Sequence, residues 1–254
     1  MEALFPFLTP FTMVCAFAIA AFAGFVKGVV GFAQPLVMIS GLTLFLSPEL
    51  ALAGLIVPTL IGNTIQSLRQ GAAAALETVR LFRLFLLVGG VTLVISAQLV
   101  RVVPERGMLL LIGVPVVLFV LLQLSGVRLR VRPDNRVAEA LVGAFAGVTG
   151  GFMGVWGPPT VTYLTARDTP KADQMRVQGV IYGAGSVALL GAHVGSGVLR
   201  AETLPFSVVM VVPALLGMWV GGQVSDRIDQ TAFRRATLIV LLLAGANLIR
   251  RALV

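Results

Sequence analysis

Apolar residues run through this chain in long uninterrupted stretches rather than in short alternating ones. No Asp, Glu, Lys or Arg occurs in 84–100, 107–127 or 203–225. A helix of ~20 apolar residues crosses the ~30 Å hydrocarbon core of a bilayer, whereas barrel strands would alternate over ~10 residues. The pattern predicts an all-α polytopic membrane protein. Uninterrupted spans are expected near 49–68, 80–102, 106–126, 171–198, 203–225 and 232–252, and interrupted ones near 11–46 and 138–166, about eight segments together.

The two interrupted segments are copies of one another. "AFAGFVKGVVGFAQP" (21–35) and "AFAGVTGGFMGVWGP" (144–158) agree at seven of fifteen positions with an offset of 123, where chance would give roughly one or two. Gly24, Gly28 and Gly31 match Gly147, Gly151 and Gly154, and Pro35 matches Pro158. Farther on, "SPELA" (47–51) answers "TPKAD" (169–173), each with a hydroxyl residue and a proline where a long helix begins. The chain therefore divides into a first transmembrane repeat (1–127), a basic linker (128–136) and a second repeat (137–254), each with one broken segment and three ordinary spans.

Charge decides how the broken segments are threaded. Only about nine residues separate Pro158 from Arg167 and Asp168, ~14 Å of helix, too little for a second crossing. If each broken segment crosses once, the Lys and Arg residues divide ten against eight, leaving out Lys27. If each dips in and returns, thirteen gather on the side of the linker and five on the other, which obeys the positive-inside rule. The second arrangement has an odd number of crossings per half, so the repeats are expected to be inverted. Inverted repeats with paired broken helices are the sequence pattern of secondary transporters with a midplane site.

Composition narrows the chemistry. Of 254 residues, 57% are hydrophobic and 12% charged, against ~25% charged in soluble domains, and the mean hydropathy is +0.98. The net charge of +8 comes mostly from arginines in short loops, so it sets orientation and gives no footprint for nucleic acid. Cys15 is the single cysteine and His193 the single histidine. No disulfide within the chain, metal cluster, cofactor motif or nucleophile–base pair is expected, and the chain reads as no enzyme. "MEALFPFLTPF" has no basic leader pattern, so residues from 11 on are expected in the mature chain.

The candidate site lies at the breaks. "GFAQP" and "GVWGPP" place Gly31, Gln34, Pro35, Gly154, Trp156 and Gly157 where the backbone leaves the helix. Freed amides need protein partners or a polar cavity, and helix N-termini favour an anion. Lys27 stands inside an apolar run, where it either neutralises a ligand or snorkels to the interface; its repeat partner is Gly150. The next helix of each half adds polar groups, Asn63 and Gln66 in the first and Gln178, Tyr182 and Ser186 in the second. His193 is read as an interfacial residue or a proton-coupling group, and Trp156 as an interfacial or pocket-wall residue. The glycines at i, i+4 and i+7 are read as helix-packing positions.

With these residues in view, the chain resembles the sulfite exporter TauE/SafE family, also grouped as toluene-sulfonate uptake permeases. The resemblance rests on "AGFVKGVVGF" and "AGVTGGFMG", the proline after each, "SPELALA", and "NTIQSLRQG". It implies a multi-pass inner-membrane secondary transporter of a small sulfur-containing or organic anion, such as sulfite or a sulfonate. Where many members run several glycines together after the first break, this chain has Phe32, Ala33 and Gln34. The expected partners are the anion and the lipid bilayer, with a homo-oligomer as a further possibility. An uncoupled anion channel and a non-transporting membrane assembly protein are the alternatives.

Overall fold

The structure, a computed structural model, describes residues 9–126, 130–132, 134–169, 171–227 and 229–254. These form twelve α-helices and one 3-10 turn: α1 (Pro10–Val30), α2 (Gln34–Leu42), α3 (Pro48–Leu68), α4 (Ala72–Leu81), α5 (Arg83–Leu99), α6 (Glu105–Ser125), α7 (Arg136–Met153), α8 (Gly157–Ala166), α9 (Lys171–Ser196), α10 (Leu204–Val209), α11 (Val211–Val224) and α12 (Gln230–Leu253). The starts follow local chemistry. Ser47 accepts from the Leu50 amide ahead of Pro48, and Asn135 accepts from the Ala138 amide, as N-cap residues do.

Both breaks fall at the duplicated glycines. Gly31 ends α1 at φ 81°, its N–H bonded to the Lys27 carbonyl, and Gly154 ends α7 at φ 68°, bonded to the Gly150 carbonyl. Left-handed backbone suits glycine and stops a helix there. Ala33 also takes φ 76° without being glycine, a conformation that costs an L-residue ~1–2 kcal/mol. Pro35 and the Pro158–Pro159 pair then sit in the first turns of α2 and α8.

Six segments among the described residues are long and apolar enough to cross a membrane: α1, α3, α6, most of α9, α10 with α11, and α12. A seventh joins them if α4 and α5 are taken as one span, although these meet at 82°. The expected eight segments counted, beside such spans, the two broken ones and the stretch 80–102. The half-helices α2 and α8 have 9 and 10 residues, ~14–15 Å of rise, so neither crosses by itself. The span expected over 80–102 is α5 alone. The preceding α4 has only Thr78 buried and turns away at Phe82 as a surface helix.

Side-chain contacts set the helix directions. Gly24 and Gly28 lie against Ala214 and Met218, and Gly147 and Gly151 against Gly89 and Leu93, so α1 runs parallel to α11 and α7 parallel to α5. Asn63 meets Ser186 while Gln66 meets Gly179, so α3 and α9 are antiparallel. Gly113 packs on Gly245 and Ile249, and Arg106 reaches the Val254 carbonyl, which makes α6 and α12 antiparallel as well.

The broken segments turn back on themselves. In the first turn of α7, Glu139 accepts from the Phe85 amide at 3.2 Å. At the end of α8, the Tyr163 ring stacks on Phe85 at 6.1 Å, and Arg167 lies 5.1 Å over Phe82. The Ala166 carbonyl also accepts from the Val131 amide at 2.7 Å. Hence α8 ends at the same end of the bundle where α7 begins, the end that carries the linker. In the first half, Arg251 at the end of α12 donates to the Thr43 carbonyl just after α2. Arg200, ahead of α10, pairs with Glu49 at the start of α3 at 2.8 Å. With α1 parallel to α11, residue 9, Thr43 and Glu49 all lie at the end opposite the linker.

Candidate functional site

The two breaks meet in the interior. Phe32, Ala33, Pro35 and Leu36 from the first, and Val155, Trp156, Gly157 and Pro158 from the second, enclose one cavity with Lys27, Asn63 and Tyr182. It has a volume of about 20 Å³, room for a water-sized body. The N-termini of α2 and α8 both open on it, and neither has a side-chain cap. The prolines matter for a second reason. Pro35, Pro158 and Pro159 carry no N–H, so they reduce the number of amides left unbonded in those first turns.

Lys27 supplies the charge. It is 4% exposed and takes part in none of the ion pairs found among the described residues. Its ammonium donates to the Asn63 side-chain oxygen. The Asn63 amide group donates to Ser186 Oγ at 2.7 Å and to the Tyr182 carbonyl at 3.3 Å, and Ser186 Oγ donates to that same carbonyl at 2.6 Å. A chain of hydrogen bonds thus runs from α1 through α3 to α9, across both repeats. Asn63 was a candidate ligand by sequence. Here both its amide protons and its oxygen are engaged, which makes it the group that positions Lys27. The interface-snorkelling alternative for Lys27 is not what the structure contains: its ammonium ends on a buried side chain.

Two polar groups near Lys27 find no partner among the described residues. Gln34, 1% exposed, has neither side-chain nitrogen nor oxygen bonded, and the Tyr182 hydroxyl, in a residue 3% exposed, is bonded to nothing. Gln34 Oε1 and Lys27 Cε lie 3.0 and 3.7 Å from where a Cβ on Gly62 would stand, and the Tyr182 hydroxyl 3.5 Å from the equivalent point on Gly157. An unbonded buried amide or hydroxyl costs ~1–3 kcal/mol. Tyr182 lines the cavity with Lys27 and the two uncapped helix N-termini, whereas Gln34 does not line it; unbonded donors and helix N-termini of this kind suit a small anion.

The remaining candidates divide. Trp156 is a pocket wall, its ring 3.0 Å from a Cβ position on Gly150 and 3.1 Å from one on Gly185. Gly31 and Gly154 shape the breaks without lining the cavity. Gln66 and Gln178 lie a helical turn away from it toward the linker end. Gln66 has both side-chain polar atoms unbonded, as is the Gln178 oxygen. His193 is fully buried, which corrects the interfacial reading. Its Nε2 lies 2.9 Å from the Gly151 carbonyl and its Nδ1 3.1 Å from Ser196 Oγ. Gly151 is in the last turn of α7, where carbonyls lose their helical partners, so His193 caps the break from α9. Sequence reasoning missed Phe32, Leu36 and Val155 as wall residues; their only signal was adjacency to the duplicated glycines. Among the described residues no group of His, Cys, Asp and Glu could hold a metal ion.

A bundle of helices long and apolar enough to cross a bilayer, broken twice around a cavity that holds Lys27, is the fold of a multi-pass membrane protein. The chain belongs to the sulfite exporter TauE/SafE family, whose sequence profile matches residues 16–248, nearly the whole length. That family consists of membrane transporters of the sulfite-exporter type, not enzymes. No curated protein and no solved structure matches the chain.

Proposed function

We propose that the protein is a secondary transporter of the inner membrane that carries a small oxyanion, sulfite or a sulfonate, by alternating access around the Lys27 cavity. The observation that carries this reading is Lys27 itself, a buried ammonium that among the described residues is bonded only to a neutral amide, near the Gln34 and Tyr182 side chains that find no partner there. A buried cation without a counter-charge is costly, and an anion bound there offsets that cost. Pro35, Gly157 and the helix ends shape the pocket; Asn63 and Ser186 hold the ammonium in place. Gln66 and Gln178 are proposed to line the path toward the linker side once the cavity opens.

The architecture supports inverted repeats. The antiparallel pairs α3–α9 and α6–α12 are the pairs that the 123-residue offset relates, and antiparallel mates fit a two-fold axis lying in the membrane plane. The exchanged contacts α1–α11 and α7–α5 fit the same operation. The helix directions put Arg69, Arg80, Arg83, Arg136, Arg167, Arg176 and Arg227 at the linker end, and Arg101, Arg106, Arg200, Arg250 and Arg251 at the other. By the positive-inside rule the linker end faces the cytoplasm. At about 20 Å³ the cavity is too small for a sulfur oxyanion, so binding requires the two tips to part. That supports a carrier whose site opens and closes rather than a standing pore.

Proteoliposome flux tests the reading. Uptake of labelled sulfite that saturates, follows an imposed gradient and is lost in Lys27→Met supports it. Flux that rises linearly with concentration would make the protein a channel, and no flux of any sulfur oxyanion or sulfonate would overturn the transport assignment.

A further inference from the structure

A second cavity, about 570 Å³ in volume, opens between α6 on one side and α7 and α8 on the other. Its walls are almost wholly apolar: Val114, Leu118 and Phe119 of α6 face Leu141, Phe145 and Met153 of α7. Leu118, Leu141 and Phe145 are exposed on the outer surface of the bundle, so the groove opens sideways, toward lipid. In the first half the counterpart half-helix, α2, packs against both α6 and α12. Its counterpart α8 packs on α7 and α9 and stands away from α6.

The two ends of the groove differ. Its deep end is formed by Leu36, Val155 and Pro158, which are also walls of the anion cavity. Its other end is lined by Val131 and Ala166, flanked in sequence by Arg130, Arg132 and Arg167. Arg136 opens α7 one turn before Leu141. Arg167 reaches the hydroxyl of the groove-lining Tyr163 at 3.2 Å. The nearby acids are largely spoken for. Asp134 lies 3.6 Å from Arg132, and Glu139 is buried on the Phe85 amide; Asp168 is exposed. Arg130, Arg136 and Arg167 are in no ion pair among the described residues.

We infer that this groove binds an anionic phospholipid of the bilayer, its phosphate at the Arg130–Arg132–Arg136–Arg167 end and one acyl chain laid between α6 and α7–α8 toward Leu36 and Val155. A long apolar slot ending in several arginines matches a molecule with a hydrocarbon chain and a negative headgroup, and basic pockets between helices recognise such headgroups. A small inorganic anion has no use for the apolar walls. The chain tip would rest on the three residues that divide the groove from the anion cavity, so occupancy of the groove bears on whether the two breaks can separate there.

The test uses the two tryptophans. Trp219 is 65% exposed and Trp156 is buried at 4%, next to Val155 at the deep end. In Trp219→Phe protein, Trp156 is the one remaining indole. We expect phosphatidylglycerol with brominated acyl chains, titrated into phosphatidylcholine bilayers, to quench Trp156 at low mole fraction, while brominated phosphatidylcholine leaves it bright. Arg130→Gln and Arg167→Gln should each weaken the phosphatidylglycerol effect about fivefold, and Val142→Phe, which fills the groove, should abolish it. Native mass spectrometry should retain phosphatidylglycerol on the parent and not on the variant that combines Arg130→Gln, Arg167→Gln and Val142→Phe. Equal quenching by both lipids, or none by either, overturns the proposal. So does a stable dimer that buries Leu118 and Leu141, because a second copy would then occupy the groove.

Discussion

The Lys27 ammonium donates to the side-chain oxygen of Asn63, joining the first broken helix to the helix that follows it, at a point where neither residue is exposed. The bond has two halves of unequal value. Asn63 has further partners in Ser186 and the Tyr182 carbonyl, whereas Lys27 has Asn63 alone among the described residues. Removing Asn63 therefore strands a charge, while removing Lys27 leaves a neutral amide that keeps its bonds to α9. Asn63→Ala should lower the melting temperature by more than Lys27→Met does. A hydrogen bond to a charged group contributes ~1.5–3 kcal/mol, and the Lys27→Met/Asn63→Ala double variant should recover much of the Asn63→Ala loss. Equal and additive losses in thermal-shift assays would mean the pair is not coupled.

Gln34 has no side-chain partner among the described residues to lose, so Gln34→Ala should fold and melt as the parent does. Its effect belongs to ligand binding. Loss of one hydrogen bond to an anion corresponds to roughly tenfold to hundredfold weaker affinity, which calorimetry with sulfite or a short sulfonate would read. Tyr182→Phe should behave in the same way. Parent-like affinity in both variants would place the anion elsewhere than between the breaks.

The duplicated glycines answer a packing demand. A Cβ on Gly147 would stand 2.0 Å from Thr92 Oγ1 and 2.2 Å from the Gly89 carbonyl oxygen, and one on Gly24 1.9 Å from the Ala214 carbonyl oxygen. Gly24→Ala and Gly147→Ala should push the parallel helix pairs apart and sharply reduce monodisperse protein on size exclusion. Gly191→Ala, with nothing within 4 Å of its Cβ position, should be silent or slightly stabilising, since alanine favours a helix.

Ala33 stands at φ 76° between α1 and α2. Ala33→Gly should relieve ~1–2 kcal/mol of backbone strain and raise the melting temperature by a few degrees. A lower melting temperature would indicate that the alanine methyl, buried against the cavity, contributes more than its backbone costs.

His193 caps the Gly151 carbonyl at 2.9 Å. His193→Gln keeps a donor at that position and should preserve both stability and the pH dependence of flux, whereas His193→Ala should destabilise by ~1–3 kcal/mol. A flattened pH profile in His193→Gln, with folding intact, would instead make the imidazole the coupling group for protons.

Much of this molecule is legible without coordinates because bilayer physics acts on sequence directly. Charge-free runs specify helices; the Gly31 and Gly154 repeats mark where two of them stop, since left-handed backbone suits glycine; and the uneven arginines favour segments that turn back. Those are properties of one stretch of chain at a time. Tertiary structure alone decided which partner each polar group finds. Asn63 is one of several polar residues on α3, yet it holds Lys27 because α3 crosses α9 at Ser186, while Gln66, a turn later, misses the cavity. His193 reads as a helix-end residue by position and is buried because α7 ends beside it. The open groove beside α8, where α2 instead packs against α6 and α12, is likewise invisible in two copies of one motif. A near-repeat in sequence constrains each half to the same helices, but how tightly a half-helix packs depends on neighbours from the other half, and the two halves differ there.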